Sequence, residues 1–140
     1  MNKPLVVVID GMGGGIGKSI VEGLHDQPIR LVALGTNPTA TAHMVCAGAH
    51  EGYTGEETIV SYVTQADIII GAMGILIPNG LLGEFSTSLV TSICQSPAIK
   101  ILVPMNKCGI KVAFEKKALS YHIDHAILLA KEEIANFNTI

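Results

Sequence analysis

Residues 4–19 read PLVVVIDGMGGGIGKS, and this stretch decides the fold. Pro4 to Asp10 is a short, β-branched, apolar run. It lacks the alternation of a half-buried strand, so it predicts a strand covered on both faces. Gly11 to Gly17 must then be a loop. Beyond it, Ile16, Ile20, Val21 and Leu24 fall on one helical face, and Pro28 closes the unit. A buried strand, a glycine loop and an amphipathic helix form the opening of a parallel β-α-β unit.

Outward from this unit the pattern repeats. Arg30 to Leu34 predicts a second strand, stopped by Gly35-Thr36-Asn37-Pro38, and Thr39 to Ala47 a helix ending at Gly48. A third strand is expected around Ala49 to Tyr53. Thr54-Gly55-Glu56-Glu57 has acids where a helix starts, and Ile59, Val60 and Val63 supply its apolar face. Ala66 to Gly71 predicts the fourth strand, Met73 to Leu82 a long apolar loop, and Glu84 to Gln95 a helix ended by Pro97. Ile99 to Val103 is the fifth strand. Ile110 to Phe114 is a possible sixth, in a hairpin with the fifth. A long helix is expected from Glu115 to Phe137. Strands alternating with helices imply right-handed crossovers and an α/β fold. The expectation is a single Rossmann-like domain over residues 1–140, a three-layer α/β/α sandwich with a mostly parallel sheet in the order 3-2-1-4-5.

Composition agrees. Apolar residues make up 49% of the chain and charged residues 15%, while aromatics are 4% with no Trp, so the core must be aliphatic. Net charge is −3 with no basic tract, which argues against a nucleic-acid partner. No apolar stretch is long enough for a membrane span, and no secretory pattern is present. Cys46, Cys94 and Cys108 lack metal-ligand spacing, so a reducing cytoplasm is expected. No metal site is expected either. His122 and His125 share a helix face but have no third donor in the pattern.

In such sheets ligands bind beyond the carboxyl ends of the strands. The loop Gly11-Met12-Gly13-Gly14-Gly15-Ile16-Gly17 stands there. Backbone N–H groups and the positive end of the following helix dipole attract phosphate. The pattern G-x-G-x-x-G fails, because from Gly11 its last position is Ile16. The P-loop pattern G-x-x-x-x-G-K-[ST] fails too. Gly17-Lys18-Ser19 fits its end, but Met12 stands at its first glycine. Asp67, at the start of its strand, is on the wrong side for a metal shell.

Gly11-x-x-x-Gly15-Ile16-Gly17 resembles the G-x-x-x-G-I-G loop of short-chain dehydrogenases. Ala66 to Gly74 (ADIIIGAMG) is similar to their fourth-strand region. That resemblance covers the first half of the chain and implies NAD or NADP as ligand. The departures limit it. Asp10 replaces the family's Thr, and is expected to accept N–H bonds within the loop. The family's Tyr-x-x-x-Lys pair is missing. Across its whole length the sequence resembles a family of small bacterial proteins of unknown function, through Ile9 to Lys18, Ala33-Leu34-Gly35-Thr36-Asn37 and Asp67 to Gly71. This implies a Rossmann-like fold and no particular activity.

The expected ligand contacts are the loop Gly11 to Gly17 with Thr36, Asn37, Gly71 and Gly74. ATP, an S-adenosyl cofactor and a coenzyme A fragment are alternatives to the dinucleotide. No catalytic set is recognisable, so the reading is a nucleotide-binding or regulatory module. The alternatives are a small oxidoreductase or transferase using Glu56, Asn106 or Lys107, and a P-loop-like phosphohydrolase. A reactive Cys108 beside Lys107 would need a paired base, which the sequence does not show. The loop at residues 75–82 is expected to form a contact between copies of the chain, because apolar surface of that extent marks interfaces.

Overall fold

The computed structural model describes residues 3–137. Five parallel strands form one sheet in the order β3-β2-β1-β4-β5, and every neighbouring pair is parallel. They are β1 (Leu5–Asp10), β2 (Arg30–Gly35), β3 (Glu51–Thr54), β4 (Ile68–Ala72) and β5 (Ile99–Val103). The helices are α1 (Gly15–Leu24), α2 (Pro38–Cys46), α3 (Glu56–Val63), α4 (Gly80–Gly83), α5 (Thr87–Gln95) and α6 (Leu119–Phe137), with a 3-10 turn at Met73–Leu76.

Strand β1 is the centre of the sheet and is buried along its whole length. Val6 and Val8 face a core made with Ile20, Leu24 and Met44 of α1 and α2, and with Ile123 and Ala130 of α6. Val7 and Ile9 face the other core, built with Ile59, Val63, Leu89 and Ile93 of α3 and α5. The period-2 alternation therefore feeds two aliphatic layers, one on each side. Each fully buried Val, Leu or Ile contributes about 1.5–3 kcal/mol.

The sheet edges are charged. Lys100 on β5 donates from Nζ to the carbonyls of Ser96 and Ala98 at 2.7 and 3.1 Å. At the other edge Arg30 donates to both oxygens of Glu51 at 2.6 and 2.8 Å, which holds that carboxyl at about 2. Such charges discourage strand addition from another chain.

Three expectations about the second half need correction. Residues 110–114 form no strand. Cys108 and Gly109 both take left-handed backbone (φ 55 and 76), which turns the chain away from β5. The last helix starts at Leu119 rather than Glu115. Helix α5 starts at Thr87 rather than Glu84, because the Ser86 side chain caps it by accepting the Leu89 N–H at 3.1 Å. Glu84 is thereby freed from the helix.

Candidate functional site

The site lies where β1, β2 and β4 end. Asp10, the last residue of β1, is buried. Its Oδ1 accepts the Gly11 N–H at 2.8 Å and its Oδ2 accepts the Gly17 N–H at 2.7 Å. The carboxylate thus clips both ends of the loop together and satisfies one of the amides at the start of α1, where Gly14 has no side chain to do so. Burial pushes the Asp10 carboxyl up. The two amides pull against this, and the charge of Glu84 adds to the rise.

The glycines of the loop divide by cause. A β-carbon at Gly11 would stand 2.4 Å from Oε1 of Glu84 and 2.7 Å from Oγ1 of Thr36. Gly14 is left-handed (φ 73) and lies against the Ala40 backbone. Gly17 packs on Asp10 and Met44. These three are glycine because the fold demands it. Gly13 and Gly15 differ. Nothing lies within 4 Å of a β-carbon at either, and neither has positive φ. Among the fifteen glycines they alone have no reason within the chain. Both are exposed. Their amides and that of Ile16 have no hydrogen-bond partner among the described residues.

Around this loop the structure brings together three segments far apart in sequence. Glu84, half-buried, accepts the Met12 N–H at 2.5 Å and the Thr36 hydroxyl at 2.9 Å through Oε1. Its Oε2 accepts from Nδ2 of Asn37 at 3.1 Å. Asn37 also donates to the Met12 carbonyl at 2.9 Å, and its Oδ1 caps α2 by accepting the Ala40 N–H. His43 donates from Nδ1 to the Gly13 carbonyl at 2.7 Å. Burial works to raise the Glu84 carboxyl, but the donors Met12, Thr36 and Asn37 together bring it below its ordinary value. Glu84 is therefore charged at neutral pH.

Sequence reasoning missed Glu84. Read as the first residue of a helix, it drew no attention. The signal was the Ser86 cap two residues later, which places the helix start beyond it.

Of the residues singled out from sequence, Gly11 to Gly17, Thr36 and Asn37 converge here. Gly74 lines a small apolar pocket of about 140 Å³ beside Met12, Leu81 and Met105. Gly71 lies within β4, beneath the site, where a β-carbon would meet the Ile9 carbonyl at 2.7 Å. Asn106 and Lys107 line a larger groove next to the loop. Glu56 heads α3 and accepts a hydrogen bond from the Ser86 hydroxyl. Asp67 accepts the Leu5 N–H at 2.7 Å, at the opposite end of the sheet. Cys46, Cys94 and Cys108 are free and exposed. No group of three metal-ligating side chains exists among the described residues, and none of their helices is long and apolar enough to cross a membrane.

The apolar loop folds mostly onto its own chain. Ile75 and Phe85 are fully buried against the α3–α5 layer, and only Leu82 stands far out, 88% exposed. Leu81 and Leu82 are both left-handed (φ 52 and 56), which distorts α4 into an irregular turn. Within residues 75–82 Pro78 is exposed as well, and Leu76, Ile77 and Leu81 are half-buried.

Among solved structures, AibC matches 95% of this chain and 43% of its own length, at 14% identity and a TM-score of 0.54. This shows a shared Rossmann-like fold. N5-carboxyaminoimidazole synthetase from Staphylococcus aureus matches 72% of this chain and 26% of its own, at 15% identity and a TM-score of 0.47. An imine reductase from Myxococcus stipitatus in complex with NAD+ matches 51% and 22%, at 19% identity and a TM-score of 0.36. This chain spans less than half of each of them. No curated protein matches it. A family model, the domain of unknown function DUF3842, matches residues 5–135, and the chain belongs to that family.

Proposed function

We propose that this protein is a nucleotide-binding module whose glycine loop takes the phosphates of a dinucleotide. The observation that carries the reading is the pair Gly13 and Gly15. Neither is required by the backbone or by packing, and both stand beside unpartnered amides at the start of α1. Glycine there admits an external group close to the main chain. Gly11, Met12, Gly14 and Gly17 shape the loop, and Ile16 contributes an amide. Thr36 and Asn37 would meet the ribose side of the ligand, and Gly74 its far side. Gly71 supports the strand below.

Glu84 favours NAD over NADP. It sets a carboxylate on Thr36 and Asn37, at the end of β2, where dinucleotide sites of this fold place an acid for the ribose hydroxyls. A ribose diol can donate to it, whereas a 2′-phosphate is repelled. Glu84→Gln keeps the shape and removes the charge. It should narrow the preference for NAD over NADP by about tenfold, measured by calorimetric titration. An unchanged ratio would remove Glu84 from the ligand contacts.

A thermal-shift panel tests the reading itself. NAD, NADP, ATP with and without Mg²⁺, S-adenosylmethionine and coenzyme A are compared. A ligand at 100 times its Kd adds about 2.7 kcal/mol. For this domain that is roughly 5–10 °C in melting temperature. Gly15→Val should abolish the shift. A β-carbon there meets nothing within 4 Å, so the unliganded melting temperature should stay within about 2 °C of the parent's. Equal nucleotide binding by the folded variant would show that the loop is only a turn. The oxidoreductase reading separates from the module by turnover: an enzyme consumes NAD or NADH with some substrate, and a module binds and stops.

A further inference from the structure

A groove of about 680 Å³ opens beside the glycine loop, between Ile16 at the start of α1, the segment after β5 and the start of α6. Its lining carries Lys107, Lys111, Lys116 and Lys117. These are four of the nine basic residues of a chain whose net charge is −3, and Glu115 is the one acid among residues 107–117. Glu115 is committed to Lys117 at 3.2 Å. The ammonium groups of Lys107, Lys111 and Lys116 have no ion pair or hydrogen bond among the described residues. A solvated basic face would scatter such charges on a convex surface, each beside an acid. Here they rim one concavity, where their fields add and a bound oxyanion relieves their mutual repulsion.

The groove is also built. Asn106 accepts the Val112 N–H at 2.8 Å, which closes residues 106–112 into a compact loop and sets Lys107 and Lys111 on it. Phe114 packs edge-on against His122 with ring centroids 4.8 Å apart and forms an apolar wall with Ile16 and Leu119. Its volume falls in the range of about 300–1,000 Å³ usual for small-molecule sites.

We infer that this groove binds a small acidic molecule with at least two negative charges and a carbon skeleton, held by Lys107, Lys111 and Lys116 against Phe114. The shared chemistry is an oxyanion cluster, supplied by a phosphate ester or by a di- or tricarboxylate. The groove shares Ile16 with the glycine loop, and its Met105 and Lys107 also line the Gly74 pocket, so it adjoins the nucleotide site, while Lys111, Lys116 and Phe114 belong to the groove alone.

Calorimetric titration at low ionic strength tests this, with pyrophosphate and citrate as probes. The variants are Lys111→Glu with Lys116→Glu, the charge-matched Lys3→Glu with Lys131→Glu, and Gly15→Val. The parent should bind at least one probe, and the groove pair should weaken it by about tenfold or more, since two ammonium donors are replaced by carboxylates that repel the anion. The charge-matched pair and Gly15→Val should stay within about fivefold of the parent. Pyrophosphate alone would identify a phosphate ester, citrate alone a polycarboxylate, and both the oxyanion class as stated. The inference is overturned if the parent binds neither probe, or if the charge-matched pair loses as much as the groove pair. It is also overturned if Gly15→Val abolishes binding while the groove pair does not. That last result would place the anion on the glycine loop and leave the nucleotide reading standing.

Discussion

Alanine at Gly71 is expected to lower the unfolding free energy by about 3 kcal/mol, and valine by more. Gly71 pairs with Ile9 of β1 and with Leu102 of β5. A β-carbon there would sit 2.7 Å from the Ile9 carbonyl and 3.1 Å from Cδ1 of Ile75. The carbonyl belongs to the central strand, which is hydrogen-bonded on both sides and cannot retreat without breaking register. Against a total stability of about 5–15 kcal/mol this is a large fraction. It corresponds to about 10 °C in melting temperature for a domain of this size. Urea unfolding followed by circular dichroism measures it. Gly13→Ala is the control, since its β-carbon meets nothing, and it should change stability by at most about 0.5 kcal/mol. Equal losses from the two substitutions would show that the approach of β4 to β1 is not what glycine serves at position 71.

Asp10→Asn should cost about 2–3 kcal/mol. The carboxylate accepts two amides, from Gly11 and Gly17, one on each oxygen. An amide side chain offers one acceptor and turns an NH₂ toward the other N–H. The loop would lose one of its two ends and α1 one of its first-turn partners. Binding to the glycine loop should fall with stability, because the amides of Gly13, Gly15 and Ile16 are presented by the same clipped loop.

The pH dependence has a definite sign. Asp10 is raised above 3.8 by burial and by the charge of Glu84, against the pull of the two amides. The folded chain therefore binds this proton more tightly than the unfolded chain does. As pH falls through the raised value toward 3.8, the contribution of Asp10 to stability increases; as pH rises through the same window, it is lost. Glu84 runs the other way. Its lowered carboxyl contributes stability above 4.5 that is lost as pH falls through its folded value. The two separate when urea midpoints of the parent and Asp10→Asn are compared across acid pH. The deficit of the variant should widen as pH falls through the Asp10 window. A constant difference would mean that Asp10 titrates alike in the folded and unfolded chains.

Much of the fold is legible in the sequence because its signals are local. PLVVVI has no polar position to put in water, so it had to become a strand covered on both faces. Each apolar run is punctuated by glycine or proline within a few residues, and this spacing marks the five strands, while their order 3-2-1-4-5 is what the Rossmann-like resemblance implies. The role of Asp10 as an acceptor for its own loop was likewise readable, since its partners Gly11 and Gly17 lie within seven residues. The second half was less legible. Residues 110–114 carry strand-like apolar residues, but the left-handed turn at Cys108 and Gly109 takes them off the sheet. No apolar count foresees this.

The candidate site divides in the same way. The chain by itself determined that a glycine loop would stand at the end of a buried strand and open a helix, because strand, loop and helix are consecutive. Only the tertiary structure decided which glycines are left with open space around them. Gly11 is consumed by Glu84, and Gly14 by the Ala40 backbone. Gly13 and Gly15 stay open. Only the tertiary structure set the Glu84 carboxylate on Met12, Thr36 and Asn37, across separations of 72, 48 and 47 residues. It also gathered Lys107, Lys111 and Lys116 beside Ile16. Periodicity reports which face of an element is buried. It does not report which side chains from other elements will meet above the sheet, because that depends on where the crossovers return.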